Sequence, residues 1–225
     1  MGFHASGNSN ASIDLEKFAT PVLKVTLDRN TDSVPDRTEV VSSDLGSTYF
    51  TDFNKYIIGE TYLFKIKSYM PTGWVYDSTS ETILQFHGQP DFHLGEDWRN
   101  PVIMLRVNDE LYSLTVRADS KEVTVEGDYE VDETYQLGSI VGDIGKWVSW
   151  EFRIKWGYDS SGQLTVLKDG VKVIEELNQA NCFNDVDGPY HKFGIYKWPW
   201  KVGQPETTTS TREIYFDDLS IGILK

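Results

Sequence analysis

Polar side chains stand where strands would otherwise be bland. In Thr82-Ile83-Leu84-Gln85-Phe86-His87 a two-residue period sends Leu84 and Phe86 to one face and Gln85 and His87 to the other. A Gln beside a His on one sheet face can hydrogen-bond a carboxylate and move a proton. In Tyr190-His191-Lys192-Phe193-Gly194-Ile195-Tyr196 the same period groups Lys192 with Tyr196, opposite Phe193 and Ile195. An ammonium and a phenol so placed join an electrostatic donor to a group that gives or takes a proton. Gly194 between them leaves an opening, as though something approaches the backbone there. In Arg37-Thr38-Glu39 the carboxylate shares a face with the guanidinium and can turn it toward an anionic ligand. Each segment alone also has an ordinary reading: a solvated outer face, a decorated edge strand, a surface ion pair.

The charge distribution narrows the ligand. The chain of 225 residues carries 21 Lys+Arg against 35 Asp+Glu, a net charge of −14. Such a balance disfavours nucleic acid, which is held largely by Lys and Arg on phosphates. Yet Gly188 to Pro205 contains no acid, and holds Lys192, Lys197 and Lys201 among Tyr190, Tyr196, Trp198 and Trp200. Lysines interleaved with rings suit an anionic sugar, whose carboxylates meet the cations while its pyranose faces stack on the aromatics. Single-stranded nucleic acid uses the same ingredients, and only the overall acidity argues against it.

The elements that must position these residues are strands. Val148, Trp150, Phe152, Ile154 and Trp156 alternate with Trp147, Ser149, Glu151, Arg153 and Lys155, the pattern of a half-buried strand. Leu23-Val25-Leu27, Tyr62-Phe64-Ile66, Val102 to Val107, Leu111 to Ala118 (with Arg117 on its polar side), Leu164 to Leu167 and Ile214-Phe216 read similarly. Asp169-Gly170, between LTVLK and VKVIEEL, marks a two-residue hairpin. Roughly a dozen strands with turn signals between them predict one all-β domain over residues 1–225, a jelly-roll β-sandwich of two antiparallel sheets. Residues 1–12 read as a flexible start, and short helices are expected near Leu15–Phe18 and Asn178–Phe183.

Taken in order, Arg37/Glu39, Gln85-Phe86-His87, Trp147/Trp150/Phe152, Gly162 to Gly170, Tyr190 to Tyr196 and Tyr215 to Gly222 resemble the heparin lyase/glucuronan lyase superfamily of polysaccharide lyases. The resemblance runs over about residues 22–223, and the chain is similar in size to the glucuronan lyases. It implies a β-jelly roll whose concave sheet forms the substrate cleft, and β-elimination on a uronic-acid polysaccharide. By motif it implies that Gln85 neutralises the uronate carboxylate and that His87 is a base or assists one. Tyr196 would be the acid, or both acid and base, and Lys192 would contact substrate and favour tyrosinate character in Tyr196. Arg37, Arg117, Tyr190, Lys197 and Trp198 are the expected substrate-binding residues. Sparse cations outside residues 192–201 favour a glucuronan-type polyuronate over heavily sulfated heparin. A non-catalytic carbohydrate-binding β-sandwich, lectin-like or a phage or cell-surface domain, uses the same aromatic ingredients and is the competing reading.

Cys182 is the lone cysteine, so no intramolecular disulfide forms. The chemistry requires no cofactor. A structural Ca2+ is compatible with Asp217-Asp218, although adjacent strand residues point to opposite faces and no ligands are assigned. No stretch reaches the roughly 18–20 apolar residues that span a bilayer. A polymeric substrate implies an extracellular or periplasmic site, with any signal peptide absent or removed, and a monomer is expected.

Overall fold

The alternating segments become two seven-stranded antiparallel sheets in the computed structural model, which describes residues 4–7, 10–41, 55–202 and 207–225. The first sheet runs in the order β1 (His4–Gly7), β4 (Arg37–Val41), β13 (Tyr190–Tyr196), β6 (Glu81–His87), β7 (Ile103–Asn108), β8 (Leu111–Ala118) and β9 (Val131–Ser139). The second runs β12 (Val171–Leu177), β11 (Gln163–Lys168), β10 (Trp147–Lys155), β5 (Thr61–Tyr69), β14 (Thr211–Leu224), β3 (Val22–Asp28) and β2 (Ala11–Asp14). The two layers pack face to face as the jelly-roll reading requires.

Burial follows the period of two. Along β10, Val148, Trp150, Phe152 and Ile154 are buried, and Phe152 sits opposite Phe64 of β5. Across the sandwich Phe86 of β6 meets Phe64 and Phe152 edge to face, at centroid distances of 5.2 and 5.7 Å. Such contacts add to the burial of large apolar area that drives the layers together. At the predicted hairpin Asp169 and Gly170 both have positive φ, 50° and 79°, as a two-residue turn of this kind demands.

Three expectations change. The start of the chain is not loose throughout: His4–Gly7 pairs with β4, and Ala11–Asp14 pairs with β3. Neither Leu15–Phe18 nor Asn178–Phe183 is helical; the former is a series of bends, and Asn178 takes a left-handed φ of 60°. The described helices are instead a 3-10 turn, Phe92–Leu94, and α1 (Trp198–Lys201), where Pro199 is compatible with a first helical turn. Asp217 and Asp218 lie at a bulge in β14, where Asp218 is bound by Lys67 at 2.6 Å. No helix among the described residues is long and apolar enough to cross a membrane.

Candidate active site

Register in the first sheet places the candidate residues on neighbouring strands. Lys192 of β13 stands opposite Gln85 of β6, and Tyr190 stands opposite His87. On the other edge of β13, Gly194 faces Glu39 of β4 and Tyr196 faces Arg37. Directly opposed residues in an antiparallel pair are about 5 Å apart, close enough for their side chains to touch. Phe193, Ile195, Leu84 and Phe86 fill the core on the reverse side of the same strands.

A chain of polar contacts links the group. Glu39, almost fully buried, accepts a short hydrogen bond from the Gln85 amide, while its other oxygen lies 3.5 Å from Nε of Arg37. This leaves the second N–H of the Gln85 amide for another acceptor. The Arg37 guanidinium lies 4.0 Å from the centre of the Tyr196 ring. Lys192 holds its ammonium 5.2 Å from the Tyr190 ring, on which His87 stacks at 5.6 Å.

The electrostatics differ from one proton-transfer group to the other. Nδ1 of His87 donates to the Gly88 carbonyl at 2.8 Å, which leaves Nε2 unprotonated. Burial, reinforced by the Lys192 ammonium, lowers the His87 pKa to about 3. The imidazole is therefore neutral near pH 7. Burial raises the Tyr196 pKa, while the Arg37 charge and hydrogen bond pull it back. The cation acting on the phenol is thus Arg37, not the Lys192 that the sequence points to. Lys192 itself is driven downward by burial, with Glu39 opposing the shift.

Tyr196 opens on a cleft of about 320 Å³ lined with Thr82, Met104, Arg106, Arg117 and Trp198. Gln85 and Lys192 do not line it and are nearly covered, and His87 is partly exposed. Arg117 reaches the cleft while held by Asp132 at 3.0 Å, and Trp198 is 46% exposed at its rim. Both line the cleft.

Two expected binding residues are placed elsewhere. Lys197 is fully buried, donating to the Thr79 carbonyl at 2.7 Å with Asp77 and Glu81 at 3.6 and 3.8 Å. Lys197 keeps the parity of Phe193 and Ile195, so continued alternation points it inward, where it meets carboxylates shared with Arg212. Tyr190 is likewise buried and supports His87 and Lys192 from beneath. Gly194 does not leave a space for ligand. A Cβ there would stand 2.4 Å from the Thr38 carbonyl oxygen, so the approaching backbone is β4 itself.

Sequence reasoning passed over three features. Glu39 as acceptor for Gln85 depends on β13 lying between their strands. Arg106 shares the polar side of β7 with Met104, and that alternation was a usable signal. Trp98, 51% exposed, meets the edge of His87 at 5.6 Å from a loop with no periodic signature. Nearby, the carboxylates of Asp91, Glu96 and Asp185 gather within 4.8 Å, a spacing that hard cations use. Arg99 already meets them, at 2.8 Å from Glu96 and 2.9 Å from Asp185, and burial lifts Asp185 to about 7. The cluster serves as an internal ion-pair network behind His87.

The protein is a jelly-roll β-sandwich with a cleft on one sheet that carries Arg106, Arg117, Tyr196 and Trp198. A family model described as polysaccharide lyase matches residues 6–220, and the chain belongs to that family: it is a polysaccharide lyase. Its fold is similar to that of the endo-β-1,4-glucuronan lyase from the fungus Trichoderma reesei, with a TM-score of 0.75 and 19% identity over 97% of this chain and 90% of that one. The alginate lyase AlyC3 aligns with a TM-score of 0.63 and 15% identity over 97% and 80% of the two chains. Alginate lyase A1-II', of polysaccharide lyase family 7, gives 0.59 and 16% over 97% and 85%. No curated protein matches significantly in sequence.

Proposed function

We propose that the chain cleaves a uronic-acid polysaccharide by β-elimination, and that its substrate is a glucuronan-type polyuronate. The observation that supports this reading is the pairing of β4, β13 and β6, which sets Arg37 against Tyr196 and Gln85 against Lys192 in one sheet, with Tyr196 on the cleft. The glucuronan lyase and alginate lyases that share its fold support a uronate polymer as substrate.

Elimination breaks the C5–H and C4–O4 bonds and forms C4=C5, with the proton passing to the departing O4. The C5 proton becomes acidic only when the uronate carboxylate is neutralised. Arg37, Lys192 and the free N–H of Gln85 supply that donor set, each such donor contributing on the order of a few kcal/mol. In glucuronate the C5 proton and O4 share a ring face. Tyr196 therefore takes the proton as tyrosinate and returns it to O4. Its raised pKa reduces the tyrosinate fraction but makes the oxygen a stronger base. His87, neutral with Nε2 free, accepts a hydrogen bond from substrate and does not titrate near pH 7.

One observation favours a second reading. A neutral His87 with a free lone pair and a protonated Tyr196 in the same sheet would also serve as base and acid for a uronate whose C5 proton and O4 lie on opposite faces. Incubation of His87→Ala with the polyuronate that the unsubstituted protein cleaves separates the two. Retained cleavage at a reduced rate supports Tyr196 as both base and acid, and complete loss supports the pair.

The enzyme acts outside the cytoplasm, where polymers too large to import are met, and as a monomer. It needs no cofactor for the chemistry, and any calcium serves stability alone.

A further inference from the structure

Arg106 and Arg117 approach the cleft floor from opposite sides. Met104 of β7 pairs with Thr115 of β8; Arg106 lies two residues to one side of Met104, and Arg117 two residues to the other side of Thr115. Arg106 leans inward, its Nη2 donating to Thr115 Oγ1 at 2.5 Å. Its buried Nε has no hydrogen-bond partner. Arg117 is only partly neutralised by Asp132, whose carboxylate is half exposed. Each guanidinium therefore sits in the field of the other, and burial together with Arg117 pushes the Arg106 pKa down. Two like charges converging on one groove, one with an unused donor, cost stability unless an anion comes between them.

We propose that Arg106 and Arg117 form a two-sided carboxylate subsite, so that the cleft takes consecutive uronates rather than uronates alternating with neutral sugars. The inference rests on the reading of the site as a uronate groove and specifies the polymer that fits it. Strands β6, β7 and β8 succeed one another at about 4.8 Å, close to the length of one sugar in an extended chain crossing the sheet. Successive sugars of a β-1,4-linked chain are turned by about half a turn, which sends their carboxylates to alternate sides. Gln85 on β6 meets the carboxylate of the sugar being cleaved. Arg106 and Arg117, one and two strands further on, then face the carboxylates that follow on opposite walls. A planar fork with two parallel donors is the geometry that holds a carboxylate tightly.

The test is calorimetric binding of two tetrasaccharides to the intact protein carrying Tyr196→Phe, with and without Arg106→Gln. One tetrasaccharide is β-1,4-linked glucuronate throughout; the other alternates glucuronate with N-acetylglucosamine. Arg106→Gln should weaken the all-uronate tetramer about tenfold and the alternating one much less, the loss of one charge-assisted contact. Because the substitution also relieves repulsion, the thermal midpoint should stay level or rise. Equal affinity for the all-uronate tetramer in both proteins, or an equal loss for both tetramers, overturns the proposal. If the unsubstituted protein cleaves no polyuronate while the selective binding loss is seen, the elimination reading fails and the subsite stands.

Discussion

The Arg37 guanidinium lies 4.0 Å over the Tyr196 ring, and its Nε lies 3.5 Å from Glu39, which also holds the Gln85 amide. One cation thereby touches the phenol on one side and, through Glu39, the carboxylate-binding amide on the other. Burial raises the Tyr196 pKa and Arg37 counters it. Removing Arg37 must therefore raise that pKa further. In Arg37→Gln the limb of kcat/KM that rises with pH should move to higher pH. A limb that stays in place contradicts the assignment of Tyr196 as base.

His87 and His191 should make stability acid-sensitive. In the folded protein His87 and His191 both titrate at about 3, against 6.5 for a free imidazole. Between those values the unfolded chain binds more protons. Their contribution is fully present above pH 6.5 and is lost as pH falls toward 3. Denaturant midpoints at pH 7 and pH 4.5 measure the slope. His191→Gln keeps a hydrogen-bonding group for Tyr56 without a titrating proton and should flatten it; an unchanged slope refutes the sign.

Gly194 holds β13 against β4 at a φ of 144°, where a Cβ would meet the Thr38 carbonyl. Gly194→Ala should cost at least about 2 kcal/mol from strain and displaced pairing. Because β4 carries Arg37 and Glu39, activity should fall more steeply than the folded fraction seen by circular dichroism. A variant with wild-type midpoint and rate would show that the close approach is dispensable.

Lys197 lies in a buried network with Asp77, Glu81 and Arg212. Lys197→Met leaves carboxylates under-compensated and should destabilise by about 3–5 kcal/mol. The molecules that fold should keep their KM, because the side chain does not reach the cleft. A raised KM with normal stability would restore it as a binding residue.

The strands, the sandwich and the shared face of Gln85 with His87 and of Lys192 with Tyr196 were legible because a two-residue period dictates which side each residue takes. The inward position of Lys197 was legible too, because it shares the parity of Phe193 and Ile195; only the turn into α1 after it carried no period. The electrostatic partner of Tyr196 was misread. Arg37 comes from a strand more than 150 residues away in sequence, and only the pairing of β4 with β13 brings it over the ring. Gly194 was read as room for ligand, although the same absence of a side chain equally admits a neighbouring strand. Arg106 showed a signal, a charge on the polar side of a strand, but its meaning depends on Arg117 reaching toward it.

The most direct measurement follows the ultraviolet absorbance of the C4=C5 product while the protein is incubated with glucuronan, alginate and heparin. Glucuronan should give the fastest rise, and Tyr196→Phe should abolish it with the fold intact. No absorbance from any of these polymers, or full activity in Tyr196→Phe, would contradict elimination through Tyr196.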